Sequence, residues 1–193
     1  HAWEPRLGQN SPRDFKGQRA VVVGMGPIGR HLAPLLKMLG MSVTGVRRKA
    51  EAVEGFDRTI TFAELRSVMP QTDVLILCCP ASPLTRGLAN ADLIGAMPKG
   101  SLLVNIARGE VAVEGDLIAA LRSGQLAGAY LDVFEREPLD PGSPLWDMPN
   151  VLVSPHTASH SQGQNEAIFD IFLDNLARWR EGRELRNDVD RLG

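Results

Sequence analysis

The chain has 193 residues, of which 44% are hydrophobic and 23% are charged, as in an ordinary globular protein. This length suffices for one well-buried core, and we expect a single domain with a short appendage. The net charge of -2 gives no general attraction to nucleic acid or to anionic lipid, so we expect neither partner. The longest strongly apolar run, Val74 to Cys79, is too short to span a bilayer, so we expect no membrane segment.

The amino terminus and the cysteines favour a reducing compartment. Residues His1 to Arg6 lack the basic and apolar regions of a secretory signal, so the cytoplasm is the expected location. The two cysteines, Cys78 and Cys79, are adjacent inside an apolar run. A disulfide without strain is improbable there, and we expect two small buried hydrophobic side chains.

The first elements form a β-α-β unit. The polar segment 1–17 is predicted to be a lead-in, and the β-branched run Arg19 to Val23, which ends at Gly24, predicts a strand. Apolar residues then recur at helical spacing up to a stop at Gly40: Ile28, Leu32, Leu35, Leu36 and Leu39. A second strand, Ser42 to Val46, completes the unit that a dinucleotide site requires.

Strands and helices continue to alternate along the chain. Four apolar runs predict strands buried on both faces: Asp73 to Cys78, Ser101 to Ile106, Ala127 to Val133 and Val151 to Ser154. Three helices are predicted between them: Phe62 to Met69 with Thr61 as its cap, Ala91 to Met97, and Glu114 to Ser123 ended by Gly124. This order is typical of an α/β fold with a doubly wound parallel sheet of the Rossmann type.

We assign residues 18–160 to the dinucleotide-binding domain and residues 161–193 to a C-terminal helix and tail. Ile168, Phe172, Leu176 and Trp179 form the apolar stripe of that helix. The sequence therefore predicts a single domain plus a long terminal helix.

The turn Gly24-Met25-Gly26-Pro27-Ile28-Gly29 lies between the first strand and the first helix. Glycines in this position let the backbone approach a pyrophosphate, and the helix that follows offers unpaired N–H groups. The alternative is a tight turn that serves packing alone. The β-α-β context favours the dinucleotide site, with Gly24, Gly26 and Gly29 as its phosphate-binding glycines.

The end of the second strand indicates which dinucleotide is bound. NAD sites place Asp or Glu there to accept hydrogen bonds from the ribose hydroxyls, whereas this chain has Val46-Arg47-Arg48-Lys49. A guanidinium pairs well with a 2′-phosphate, so we predict that NADP(H) is preferred and keep NAD(H) as the second option. The alternative is that an exposed arginine lies at this strand end by chance.

Three residues suited to reduction of a 2-keto acid each follow a predicted strand: Arg108, Glu137 and His156. The planar fork of Arg108 suits a substrate carboxylate, and His156 suits proton transfer because imidazole titrates near neutral pH. Glu137 could orient the imidazole and favour its protonated form. Because the carboxyl ends of parallel strands meet in one crevice, we interpret the three as one site.

Simpler explanations exist for each residue taken alone: a surface ion pair for Arg108, one charge of an acidic turn for Glu137, and a capped loop residue for His156. His156 and His160 have the spacing of a helical metal pair. Pro155 and the missing glutamate of a His-Glu-x-x-His motif argue against zinc, so we expect no metal site.

At these motifs the chain resembles the nucleotide-binding domain of the D-isomer-specific 2-hydroxyacid dehydrogenases, from about Trp3 to Val189. The resemblance rests on the glycine turn and on three further motifs: Asn105-Ile106-Ala107-Arg108-Gly109, Asp132-Val133-Phe134 with Glu137-Pro138-Leu139, and Pro155-His156-Thr157-Ala158. Within that family, Val46-Arg47-Arg48 and Ser143-Pro144-Leu145-Trp146 are similar to the NADPH-using glyoxylate/hydroxypyruvate reductases.

The resemblance implies that Arg108 binds the substrate, that His156 is the acid/base and that Glu137 is its partner. It places Asp132 near the nicotinamide carboxamide. The expected cofactor contacts beyond the three glycines are Pro27, Ile28, Arg47, Arg48, Pro80, Thr85, Ile106, Ala107, Asp132 and Ala158.

The resemblance also implies a small 2-keto acid substrate, such as glyoxylate or hydroxypyruvate, and a homodimer built through this domain. Family members carry most of a substrate domain upstream, so we expect this chain to bind NADP(H) but to turn over poorly or not at all. Two alternatives stay open: a dinucleotide-sensing binding module, as in the corepressor branch of the family, and an NAD-dependent dehydrogenase of a larger hydroxy acid such as phosphoglycerate.

Overall fold

The structure, a computed structural model, describes residues 13–188. Most of the predicted lead-in 1–17, and the start of the family resemblance at Trp3, lie outside the described residues, as does its end at Val189. The chain divides into two compact units, the first ending at His156 and the second beginning at Thr157. No helix within residues 13–188 has the length and apolar character needed to cross a membrane.

The first unit is built on a seven-stranded sheet in the order β3-β2-β1-β4-β5-β6-β7. Every pair of neighbouring strands is parallel. The strands are β1 Arg19–Val23, β2 Ser42–Arg47, β3 Arg58–Thr61, β4 Val74–Leu77, β5 Ser101–Asn105, β6 Leu126–Leu131 and β7 Val151–Val153. The predicted doubly wound parallel sheet is confirmed.

Four helices connect these strands: α1 Pro27–Met38, α2 Phe62–Val68, α3 Ala91–Gly95 and α4 Glu114–Ser123. Short 3-10 turns lie at Met69–Gln71, Gly109–Val111 and Pro144–Trp146. The predicted cap of α2 is present, since both the backbone N–H and the hydroxyl of Thr61 donate to the Glu64 carboxylate at 2.9 Å. Gly124 ends α4, as predicted.

The strand order reverses between β1 and β4. From β1 the chain runs outward through β2 to β3, and from β4 it runs the other way through β5 and β6 to β7. In an open parallel sheet, the connections on the two sides of this switch point leave a crevice at the carboxyl ends of the strands. The residues after β1, β4, β5, β6 and β7 therefore all lie along one edge.

Apolar side chains fill both faces of the sheet. Alternate residues of a strand point to opposite faces, so Val21 and Val23 of β1 belong to one buried cluster while Ala20 and Val22 belong to another. All four residues of β4 are buried. The central strands thus hold the carboxyl edge in a fixed position.

Three sequence predictions are wrong in detail. The strand Arg58–Thr61 was not predicted, because Ile60 is its only fully apolar residue and it pairs on one side alone, with β2. Helix α3 ends at Gly95 rather than at Met97. Of the four strands predicted to be buried on both faces, β4 alone is fully buried, and the other three each have an exposed residue: Leu102 in β5, Ala127 in β6 and Leu152 in the edge strand β7, where it is 69% exposed.

The second unit contains the predicted long helix, α5 Gln164–Arg180. None of its residues is buried. The apolar stripe is present on this helix, and its members are exposed: Ile168, Phe172, Leu176 and Trp179. The single Rossmann-type domain with a C-terminal helix predicted from the sequence is confirmed.

Candidate active site

The glycine turn is clamped to the end of β4. Gly24 has a φ of +107°, and a Cβ there would lie 2.7 Å from the carbonyl oxygen of Cys78 and 2.8 Å from the nitrogen of Cys79. The Cys78 thiol donates to the Gly24 carbonyl at 3.2 Å. Burial, with the neighbouring Cys79, raises the pKa of Cys78 to about 12, so the thiol remains a protonated donor. Both cysteines are free.

The other two glycines of the turn differ in how much space surrounds them. A Cβ on Gly29 would lie 2.2 Å from the Gly24 carbonyl oxygen, so packing excludes a side chain there. A Cβ on Gly26 would meet no atom within 4 Å. Gly26 precedes the first residue of α1, Pro27, where helix N–H groups have no partner within the helix. Its open face is suited to a bound phosphate.

Arginines stand where an NAD site has an acid. Arg47 is the last residue of β2 and is half-buried, and Arg48 after it is exposed. Nη1 of Arg47 lies 3.8 Å from Oε2 of Glu51. A partly exposed pair of this length contributes little, so the guanidinium can exchange Glu51 for a ligand phosphate.

The loop after β4 is held together by Thr85. This side chain is 3% exposed, and its hydroxyl donates to the Pro80 carbonyl at 2.7 Å and accepts from the Ser82 N–H at 2.8 Å. Pro80 itself is exposed. Thr85 therefore shapes the loop from within, and its contact with a cofactor stays a prediction.

Asn105, the last residue of β5, fixes the loop that carries Arg108. Its side chain is buried, accepts from the Ala107 N–H at 3.1 Å and donates to the Arg108 carbonyl at 3.2 Å. The Ile106 N–H donates to the Leu77 carbonyl at 3.1 Å. The exposed guanidinium of Arg108 donates to the Ala107 carbonyl at 2.6 Å. The backbone is thus fixed beneath an arginine fork that faces solvent.

Glu137 and His156 are in direct contact. Nδ1 of His156 lies 2.7 Å from Oε2 of Glu137, and the other carboxylate oxygen accepts from the Phe134 N–H at 3.0 Å. His156 has a φ of +56°, which is uncommon for a residue with a side chain. Its N–H donates to the Asp132 carbonyl at 2.8 Å, which holds this backbone against the end of β6.

Opposing influences set the pKa of Glu137. Burial raises it, but the hydrogen bonds from His156 and from the Phe134 N–H, together with the charge on His156, outweigh burial and the repulsion by Asp132. The pKa of Glu137 is therefore held below its usual value, and the carboxylate is ionised at neutral pH. The ionised carboxylate is an acceptor for Nδ1 of His156 and holds the ring in one orientation.

Asp132 is buried beside this pair and is 2% exposed. The Ser154 hydroxyl donates to its Oδ1 at 2.5 Å, and its own N–H donates to the Asn105 carbonyl at 3.0 Å. Neither Asn105 nor Ser154 is among the site residues predicted from the sequence. The signal for both was their position as the polar residue next to a predicted strand end.

The structure thus brings Glu137 and His156 into contact and places Arg108 at the end of the strand next to β6, on the same edge. Ala158 belongs to the second unit, and its cofactor contact stays a prediction. With Nδ1 held by a carboxylate, Nε2 is the ring nitrogen suited to exchange a proton with a substrate oxygen. The Arg108 guanidinium, the Glu137–His156 pair and the glycine turn then follow strands of one sheet edge, an arrangement that hydride transfer to a carboxylated ketone could use.

Comparison with known proteins gives the same assignment. Residues 1–158 match the family model described as the D-isomer specific 2-hydroxyacid dehydrogenase, NAD binding domain. The chain is 36% identical over 189 residues to the glyoxylate/hydroxypyruvate reductase A of Salmonella typhi, covering 98% of this chain and 59% of that protein. The chain thus spans about three fifths of the length of this curated relative.

Two solved structures carry the cofactor. The D-isomer specific 2-hydroxyacid dehydrogenase of Xanthobacter autotrophicus Py2, in complex with NADPH and MES, superposes with a TM-score of 0.83 at 39% identity, covering 94% of this chain and 74% of that one. The NADPH-dependent glyoxylate/hydroxypyruvate reductase of Sinorhizobium meliloti, in complex with NADP and sulfate, gives a TM-score of 0.84 at 36% identity. The match covers 95% of this chain and 58% of that one. The chain belongs to the D-isomer specific 2-hydroxyacid dehydrogenase family and contains its NAD binding domain.

Proposed function

We propose that this chain is the cofactor domain of an NADPH-dependent reductase of short 2-keto acids of the glyoxylate or hydroxypyruvate type. The observation that carries the proposal is the 2.7 Å contact between Glu137 and His156, on the sheet edge that also bears the glycine turn and Arg47. The relatives that bind NADPH or reduce glyoxylate support it.

The residues present fit NADP(H). Gly26 leaves open space beside the N-terminus of α1, which suits the pyrophosphate. Arg47 and Arg48 at the end of β2 offer donors to the 2′-phosphate, and β2 ends without the acid that would hydrogen-bond the ribose hydroxyls of NAD. When bound, NADPH supplies the hydride that reduces the keto carbon.

The side chains then divide the remaining work. Arg108 binds the substrate carboxylate and orients the ketone. His156 donates the proton from Nε2 to the substrate oxygen as negative charge develops there. Glu137 fixes the orientation of the ring through the contact with Nδ1 and leaves Nε2 to face the substrate.

The proposal is tested by steady-state reduction of glyoxylate and hydroxypyruvate with NADPH and with NADH, using the native gene product that contains this chain. We expect a lower KM for NADPH than for NADH. The Arg47→Asp variant is expected to raise the KM for NADPH about tenfold or more, because a carboxylate repels the 2′-phosphate that the guanidinium binds.

A charge-matched substitution outside the site, Arg122→Asp on α4, is the control and should leave the ratio of the two KM values unchanged. A wild-type preference for NADH would overturn the NADPH assignment and favour the dehydrogenase of a larger hydroxy acid. Tight NADPH binding without turnover of either keto acid would favour the dinucleotide-sensing module.

The same proposal makes the protein a cytoplasmic homodimer in which residues 18–160 form the cofactor domain and residues 161–193 return to a substrate domain. Support for the last point is the exposed apolar stripe of α5, which another part of a longer protein would cover. Light scattering coupled to gel filtration measures the oligomeric state directly, and a monomer at micromolar concentration would contradict the dimer.

A further inference from the structure

Two glutamates beside the site bind each other's backbone. The N–H of Glu114, the first residue of α4, donates to Oε1 of Glu135 at 2.8 Å, and the N–H of Glu135 donates to Oε2 of Glu114 at 3.3 Å. This reciprocal pair, here named the glutamate latch, joins the start of α4 to the loop that follows β6. Neither glutamate is among the site residues predicted from the sequence.

The glutamate latch supplies a hydrogen-bond acceptor to the N-terminus of α4. Val113, which precedes α4, makes no side-chain cap, and the first N–H groups of a helix have no partner within the helix. The Glu135 carboxylate takes that place and lies at the positive end of the helix dipole. Burial raises the pKa of the Glu114 carboxyl, and the negative charge of Glu135 adds to this, against the opposing hydrogen bond from the Glu135 N–H.

The glutamate latch holds the backbone where two loops of the site touch. One loop follows β5 and carries Arg108, and the other follows β6 and carries Glu137. A Cβ on Gly109, next to Arg108, would lie 1.8 Å from the Phe134 carbonyl oxygen and 2.4 Å from the Glu135 nitrogen. Gly109 therefore packs directly on the Phe134 to Glu135 peptide. The N–H of Phe134 donates to the Glu137 carboxylate, so the same residue also positions the partner of His156.

We propose that Glu135 is a positioning residue for the reaction: through the glutamate latch it holds the Phe134 to Glu135 peptide against Gly109, and so sets Arg108 relative to Glu137 and His156. Glu135 touches neither substrate nor cofactor in this arrangement. The inference rests on the proposed function, since the distance it controls is the one between the carboxylate anchor and the acid/base pair.

The latch itself is tested by hydrogen exchange of the 193-residue chain. The Glu114 amide owes its protection to Glu135, so in the Glu135→Ala variant this amide should exchange about tenfold faster or more, while amides in β4 keep their rates. Glu135→Gln retains an acceptor oxygen and should restore the protection. Unchanged exchange at Glu114 in Glu135→Ala would overturn the latch, whatever the enzyme's activity.

Its consequence is tested by kinetics of the native gene product. We expect Glu135→Ala to lower kcat for the keto acid between about tenfold and 100-fold, as small misplacements of reacting groups do, with the KM for NADPH unchanged. Glu135→Gln should recover most of the rate. The control is Glu110→Ala, which removes an acid that pairs with Arg86 at 2.6 Å outside the latch.

The outcomes separate the two hypotheses. A wild-type protein without reductase activity refutes the proposed function and leaves the exchange result to decide whether the latch exists. An active wild type whose rate is unchanged in Glu135→Ala refutes the positioning role. A fall in rate that Glu135→Gln does not recover, or that Glu110→Ala matches, also refutes it.

Discussion

At the scale of single residues, the contact between Glu137 and His156 depends on a backbone conformation that sequence spacing cannot reveal. His156 adopts a φ of +56°, and the Asp132 carbonyl accepts its N–H at 2.8 Å. The Glu137 carboxylate is held by the Phe134 N–H on one oxygen and by the imidazole on the other. The pair is thus oriented by main-chain groups at the end of β6, before any ligand binds.

The depressed pKa of Glu137 predicts a pH-dependent contribution to stability. The pKa of Glu137 in the folded protein lies below its ordinary value of 4.5. The ionised carboxylate therefore stabilises the folded state above about pH 4.5, and this stabilisation is lost as pH falls through the pKa of the folded protein. Glu137→Gln should therefore lower the free energy of unfolding at pH 7 by about 0.5–1 kcal/mol, a small amount since the pair is partly exposed. Urea denaturation of both proteins at several pH values measures this.

The difference between wild type and Glu137→Gln should shrink as pH falls below about 4.5. Carboxylates that do not interact with Glu137 titrate equally in both proteins, so they cancel in the comparison. A difference that stays constant from pH 7 to pH 3 would show that the charge of Glu137 is not what the variant removes.

The sequence was sufficient to nominate Arg108, Glu137 and His156 as candidates, because each is a chemically suited side chain just past an apolar run, and the structure brings two of them into contact. It was not sufficient to reveal Asn105, Ser154 or Glu135. Asn105 acts within its own loop, through hydrogen bonds to Ala107 and Arg108 that depend on the backbone conformation after β5. Ser154 and Glu135 bond residues on other elements, and such pairings follow from the order of strands in the sheet rather than from local spacing.

At the scale of elements, the turn between β1 and α1 combines two kinds of glycine. Gly24 is required by its positive φ and by the Cys78 to Cys79 peptide beneath it, whereas Gly26 faces open space. Packing therefore explains the first glycine and leaves the second to be explained by a ligand. This contrast makes the turn testable without reference to the reaction.

We predict opposite effects of alanine at these two positions. Gly24→Ala should destabilise the fold by roughly 1–3 kcal/mol, because a Cβ strains the backbone and meets the end of β4. Gly26→Ala should change stability by less than about 0.5 kcal/mol and weaken NADPH binding tenfold or more, because the Cβ occupies the space of a phosphate. Thermal unfolding and isothermal calorimetry on the same samples provide both measurements.

Each variant is the control for the other. A Gly26→Ala protein that binds NADPH as tightly as wild type would refute the assignment of this turn to the pyrophosphate. A Gly24→Ala protein with an unchanged unfolding midpoint would contradict the close contact with Cys78 and Cys79.

The strands differ in how well an apolar run in the sequence predicts them. The run that became β4 was predictable because burial on both faces makes a strand continuously apolar, and β1 differs only in its exposed first residue, Arg19. Strand β3 was not predicted because its position at the edge of the sheet allows polar residues on both sides of Ile60. The same edge effect exposes Leu152 in β7, where an apolar run alone predicted full burial.

At the scale of the whole molecule, the three predicted catalytic residues and the glycine turn all belong to the first unit, which ends at His156. The side chains of His156 and Glu137 are nevertheless 47% and 35% exposed. Charges that stabilise a transition state act most strongly where water is excluded, and here water reaches the pair. We therefore expect this chain to bind the cofactor while it reduces substrate slowly.

We predict that the purified 193-residue chain binds NADPH but reduces glyoxylate at least about 100-fold more slowly than a full-length family reductase, since neither water exclusion nor substrate orientation is complete around the pair. NADPH titration followed by nicotinamide fluorescence, and steady-state NADPH oxidation on the same sample, measure the two properties. Gly26→Ala serves as the matched control, because it should shift the fluorescence titration to at least about tenfold higher NADPH concentration without unfolding the chain. Turnover at a rate comparable to the full-length enzyme would show that the first unit completes the active site by itself.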